Sequence, residues 1–109
     1  MALETIVKFN EGENTWIISP KGDLDIYTSN EFKNKILDIF EKEQVDLLID
    51  GTNLEYVDST GLGALISIFK STKEADKKIV LLNLKANIRK LFHITELDKL
   101  FLIRGENND

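Results

Sequence analysis

Strand-like and helix-like hydrophobic periods alternate along this chain. Ile6-Val7-Lys8-Phe9 and Trp16-Ile17-Ile18 read as β-strands on either side of Asn10-Glu11-Gly12-Glu13-Asn14, a polar, glycine-containing loop of hairpin length. Pro20 closes the second strand or marks it as an edge, because proline has no N–H to give a ladder. Phe32, Ile36, Ile39 and Phe40 then form an apolar stripe at helical spacing, with Lys33, Lys35, Asp38, Glu41 and Lys42 turned to water. Ahead of the stripe, Thr28-Ser29-Asn30-Glu31 matches a capping box, Thr28 capping and Glu31 reaching back. The helix is expected to stop near Glu43.

Val45-Asp46-Leu47-Leu48-Ile49-Asp50 and Ile79-Val80-Leu81-Leu82 are short, largely apolar runs that suit parallel strands covered on both faces. Between them, Leu62, Leu65, Ile66 and Phe69 recur at i, i+3, i+4 and i+7, which predicts a helix over Leu62–Ala75. Val45–Leu82 therefore reads as one βαβ unit with a right-handed crossover and its two strands as parallel neighbours. Ala86–Phe92 predicts a third helix with Ile88, Leu91 and Phe92 inward. Thr95-Glu96-Leu97-Asp98 can cap one further turn before a last strand at Phe101-Leu102-Ile103, and Gly105–Asp109 reads as a frayed tail.

The alternation makes this an α/β chain, and 109 residues suit a single domain, 1–109, that buries roughly two-thirds of its unfolded surface without a staple. There is no internal repeat, low-complexity tract or linker to divide it. Zero cysteines and a single histidine exclude a disulfide framework and a cysteine-based zinc site. The N-terminus lacks a basic segment followed by a long apolar one, and no apolar run approaches the ~20 residues of a membrane span. A soluble cytoplasmic protein is expected. The net charge of −5, with 30% of residues charged, argues against nucleic acid and anionic membrane as partners. A basic protein surface stays open as a partner.

Chemistry concentrates in Asp58-Ser59-Thr60-Gly61-Leu62-Gly63, at the mouth of the second helix. Asp58, Ser59 and Thr60 are all types whose oxygens accept from the orphan N–H groups of a first helical turn. The same donors and the helix dipole favour negative charge, so a serine there is well placed to carry a phosphate. A second polar loop, Gly22-Asp23-Leu24-Asp25, follows the second strand and precedes the first helix. Sites in open α/β sheets gather where strand ends meet helix starts, so the two loops can share one edge.

These residues carry a resemblance. Gly22-Asp23-Leu24-Asp25, the stretch Leu54-Glu55-Tyr56-Val57-Asp58-Ser59-Thr60-Gly61-Leu62-Gly63, Ile88-Arg89-Lys90-Leu91-Phe92 and Ile94-Thr95-Glu96-Leu97 together resemble the anti-sigma factor antagonists, the single-domain STAS proteins of bacterial stress and sporulation control. The match covers nearly the whole chain. It implies a STAS-like mixed β-sheet with helices packed mainly on one face. It also implies a regulator without catalytic residues, cofactor or metal, monomeric when free. In that family the unphosphorylated protein binds an anti-sigma factor that is also an ATP-dependent serine kinase, and so frees the sigma factor for transcription. Phosphorylation of the motif serine ends binding, and a PP2C-type phosphatase restores it. By position Ser59 is then the phospho-acceptor, and Asp23, Asp25, Asp58, Ser59, Thr60, Gly61 and Leu62 form the partner-binding set.

Other readings compete. Ser59 could be only a cap, and Asp23 and Asp25 ordinary turn residues. Gly61-Leu62-Gly63 invites a dinucleotide fingerprint, but Ile66 stands where the third glycine belongs, and the strand ending at Asp50 stops well short of Asp58. A small hydrolase with Ser59 as nucleophile and Asp58 or Asp23 as acid–base partner needs a base in hydrogen-bond reach and an oxyanion hole. No Gly-x-Ser-x-Gly elbow is present, and His93 is distant in sequence, a surface or helix-end residue by its setting. A STAS scaffold module in a stress-signalling complex is a further alternative. Trp16 and the phenylalanines read as packing residues.

Overall fold

The computed structural model describes residues 2–105. It opens with a hairpin: β1 (Leu3–Asn10) and β2 (Thr15–Leu24) pair antiparallel from Leu3↔Gly22 to Asn10↔Thr15. Both strands outrun the apolar segments that predicted them, and Pro20 lies inside β2 rather than at its end. It fits there because β2 changes partner around it. Parallel pairing with β3 (Asp46–Asp50) ends at Ile18↔Ile49, and pairing with β4 (Leu54–Val57) begins at Gly22↔Leu54. A missing N–H in that gap costs no ladder bond.

After α1 (Ser29–Lys42) and β3, the helix α2 (Ser59–Glu74) carries the chain across to β5 (Ile79–Leu82). β3 and β5 are adjacent and parallel from Leu47↔Ile79 to Asp50↔Leu82, as the βαβ reading requires. α3 (Ala86–Ile94), a single 3-10 turn at Leu97–Lys99 and β6 (Leu102–Arg104) finish the described chain, with β6 parallel to β5. The sheet runs β1-β2-β3-β5-β6, with β4 beside the far end of β2. Of the expected tail, 106–109 lies outside the described residues.

Ile18, Leu47, Ile49, Ile79 and Leu81 bury one face of this sheet in a cluster with Phe32 and Ile36 of α1, Leu65 and Ile68 of α2, and Ile88 and Phe92 of α3. The rings of Phe69 and Phe92 both meet Phe101, at 5.4 and 5.5 Å between centroids. Burial alternates along β3 and β5: Leu48, Val80 and Leu82 stay only half-buried. The expectation of cover on both faces therefore fails, and the fold is the one-sided mixed sheet that the resemblance implied. Leu48 and Val80 tolerate the open face because they stand in one register row with Ile17 and Leu102, shielding one another across strands.

Four local expectations also change. β4 was not foreseen, so the strand before Asp58 ends at Val57 rather than Asp50; the missing third glycine is what still counts against a dinucleotide turn. The helix opens three residues earlier than its apolar stripe, with Asp58 as its cap and Ser59 as its first residue. The capping box at Thr28 does not form. Asp25 takes the N–H groups of Thr28 and Ser29 on its carbonyl, at 3.1 and 2.8 Å, leaving Thr28 free for another task. Thr95 likewise caps nothing downstream, since its hydroxyl donates back to Leu91 O at 2.8 Å.

Candidate functional site

The two polar loops meet through one carboxylate. Asp58, the cap of α2, accepts the Gly61 N–H on Oδ1 at 2.9 Å, satisfying one orphan donor of the first turn. Its Oδ2 accepts the Ile26 N–H at 3.1 Å, across 32 residues of sequence. A backbone bond from Asp58 N–H to Leu24 O, 3.2 Å, adds a second tie between the end of β2 and the start of α2. Gly61 explains its own identity here. An ideal Cβ at this position would lie 2.4 Å from Leu24 O, so only glycine lets α2 approach β2 so closely.

The loop before α1 is bonded as completely. Asp25 is buried, at 6% exposure, and its Oδ1 accepts the Tyr27 N–H at 2.9 Å and the Thr28 N–H at 3.2 Å. Thr28 Oγ1 donates to Asp23 O at 2.8 Å and accepts the Asp25 N–H at 3.0 Å. This is the work for which the hydroxyl leaves the helix cap. Asp23 pairs with Tyr56 in the β2–β4 register, so the two side chains share a sheet face. Among the described residues the Asp23 carboxylate has neither an ion-pair nor a hydrogen-bond partner.

On this frame Ser59 and Thr60 are exposed at the first two positions of α2. Their backbone N–H groups and the Ser59 hydroxyl have no partner among the described residues, which leaves donors at a helix N-terminus facing water. Of the seven residues expected to meet a partner, Asp23, Asp58, Ser59 and Thr60 reach the surface. Asp25, Gly61 and Leu62 lie beneath it and set its shape. Three conspicuous residues were missed: Ile26, Tyr27 and Tyr56 are 64%, 82% and 51% exposed around this same edge. Gly63, also in the motif, is exposed, and a Cβ there would meet nothing within 4 Å. An apolar Ile-Tyr pair standing directly behind Asp25, ahead of the polar helix start, was the available signal.

His93 lies in the last turn of α3, exposed, with Nδ1 3.1 Å from Asp98 Oδ2. Among the described residues no group of three His, Asp or Glu side chains is gathered as a metal would need, and no helix is long and apolar enough to cross a membrane.

The model of the STAS domain matches residues 7–108. The chain belongs to the STAS-domain family. This STAS protein is 37% identical over 91 residues to the anti-sigma-B factor antagonist of Listeria monocytogenes, a match that spans 80% of this chain and 79% of that one. It is 33% identical over 79 residues to the Staphylococcus epidermidis protein of the same name, over 72% and 73% of the two chains. The STAS fold recurs in the anti-sigma factor antagonist of Mycobacterium paratuberculosis, at a TM-score of 0.78 and 24% identity over 99% of this chain and 90% of that one. The unphosphorylated form of SpoIIAA gives a TM-score of 0.71 at 21% identity, over 92% and 86% of the chains. The phosphorylated form from Bacillus gives 0.74 at 20%, over 96% and 93%.

Proposed function

We propose that this STAS protein is an anti-sigma factor antagonist switched by phosphorylation of Ser59. In this reading the unphosphorylated form binds an anti-sigma factor that is also an ATP-dependent serine kinase, and the sigma factor is released. Phosphate on Ser59 ends the interaction, and a PP2C-type phosphatase renews it. The observation that carries the reading is the setting of Ser59: an exposed, unengaged hydroxyl on the first residue of α2, on a frame locked by Asp58 and Asp25. The relatives named above for antagonising the anti-sigma-B factor support the partner class.

Local energetics favour a switch that acts on the interface rather than on the fold. A phosphate adds about −1.5 to −2 charge at neutral pH. The free N–H groups of Ser59 and Thr60 and the helix dipole would stabilise it by about 0.3–1 kcal/mol. Asp58, next to Ser59 in sequence, opposes it by like-charge repulsion. The two forms of SpoIIAA share one fold with this chain, which fits a phosphate tolerated in place. Exclusion then follows from bulk, bound water and charge at a surface that must pack against the kinase.

The hydrolase alternative lacks geometry. Both Asp58 oxygens accept backbone N–H groups, no acceptor meets the Ser59 hydroxyl among the described residues, and His93 is engaged at the far end of α3. Mixing the protein with the purified kinase anti-sigma factors of its source genome and ATP tests the switch. One phosphate by intact mass, located on Ser59 and accompanied by release, is expected. Ser59→Ala should bind and resist release, and Ser59→Asp should bind poorly while folded. Tight binding by Ser59→Asp, with no phosphate added to Ser59, would sink the proposal.

A further inference from the structure

Resting on that reading, we infer that Ile26 and Tyr27 form the apolar half of the partner surface and dock into an aliphatic socket of the anti-sigma factor beside the phospho-acceptor. Every backbone N–H from Asp25 to Ser29 has an acceptor: Asp25 donates to Thr28 Oγ1, Ile26 to Asp58 Oδ2, Tyr27 to Asp25 Oδ1, and Thr28 and Ser29 to Asp25 O. Two of those acceptors are carboxylate oxygens, one of them on a buried aspartate. So complete a framework holds a turn whose two apolar side chains stand 64% and 82% in water. Among the described residues nothing gains from that exposure. Removing apolar side-chain surface from water is favourable, and a surface partner is what can collect that gain.

The patch is continuous with Ser59. Asp58 joins Ile26 to the cap of α2, and Ile26 shares one shallow groove with Thr60 and Gly63. Gly63 leaves the groove floor bare, so a partner can approach the α2 backbone closely. Tyr56, 51% exposed, stands on the open sheet face beside Asp23, which has no side-chain partner among the described residues. A turn held so completely, presenting a tyrosine and a branched aliphatic, has the composition of an interface anchor, because little loop entropy is lost on docking. Asp58 is on this account a positioning residue, which fixes the turn rather than touching the partner.

The test measures the affinity of the unphosphorylated protein for each purified kinase anti-sigma factor of the source genome. Ile26→Ala/Tyr27→Ala should weaken binding at least about tenfold with an unchanged unfolding midpoint. Ile94→Ala, equally exposed at 66% but at the end of α3, should change nothing. Tyr27→Ser alone repeats the test if the double variant unfolds. Asp58→Asn should also weaken binding, and should speed hydrogen exchange at the Ile26 amide, which a purely local cap would not do. Affinity of the double variant within twofold of wild type, beside a wild type that binds and a Ser59→Asp that does not, would overturn this inference alone. A wild type that binds none of the anti-sigma factors would overturn the antagonist reading and the inference with it. A concentration-dependent dimer abolished in the double variant would assign the patch to a second copy, and would overturn it too.

Discussion

Gly61 and Gly63 stand two residues apart in the same helix and should respond to alanine with opposite signs. At Gly61 the added Cβ would lie 2.4 Å from Leu24 O, 3.0 Å from Leu24 Cγ and 3.1 Å from Leu24 C, all belonging to the end of β2. A carbonyl oxygen in a ladder cannot rotate away, so the first turn of α2 must lift. That lift strains the Asp58 N–H to Leu24 O bond and both carboxylate contacts of Asp58. Overpacking of this kind costs about 1–3 kcal/mol, and a weakened cap about 1 kcal/mol more. Against it stands the gain of about 0.5–1 kcal/mol for alanine over glycine in a helix. The net loss for Gly61→Ala is then about 1–3 kcal/mol, or roughly 5–20 °C in Tm for a domain of this size. At Gly63 the Cβ meets nothing within 4 Å, so only the propensity gain remains and Tm should rise by a few degrees. Urea unfolding of the free protein measures both, followed by the fluorescence of Trp16, whose Nε1–H donates to Glu43 O at 3.0 Å. A Gly61→Ala protein as stable as wild type would refute the reasoning, as would a destabilised Gly63→Ala. The same Gly63→Ala protein, if better folded yet weaker for the kinase, would mark Gly63 as kept for the partner.

Asp25→Ala should destabilise the free protein by about 1–3 kcal/mol in urea titrations, because the Tyr27 and Thr28 N–H groups lose a buried acceptor. Asp23→Asn should leave the unfolding midpoint within about 0.5 kcal/mol of wild type, since its carboxylate has no partner among the described residues. Its effect should fall on the association rate with the kinase and on the salt dependence of that rate, measured by stopped flow. Phosphorylation of Ser59 should move the unfolding midpoint by less than about 1 kcal/mol while abolishing binding. A large loss of stability in the phosphoprotein would mean that the switch works by unfolding the mouth of α2.

The periodic elements were legible from the chain alone. α1 and α2 each carry an apolar stripe long enough to declare its period, and β3 and β5 are short apolar runs; burying those residues is what forms the elements. The Asp-Ser-Thr-Gly segment was legible for a similar reason, since capping chemistry is local. β4 was not, because four residues with burial only at Leu54 and Val57 declare no period, and their pairing partner is a distant, irregular stretch of β2. Asp23 and Asp25, two apart in one loop, looked equivalent. Tertiary structure separated them: one points from the open sheet face, and the other turns inward to hold the N–H groups of the next turn. It also moved Thr28 from a capping box to that same turn and stretched Asp58 from a cap to a bridge. Each of these outcomes depends on where a donor from another segment comes to rest, so it arises only when the strands have set their register and the helices have packed.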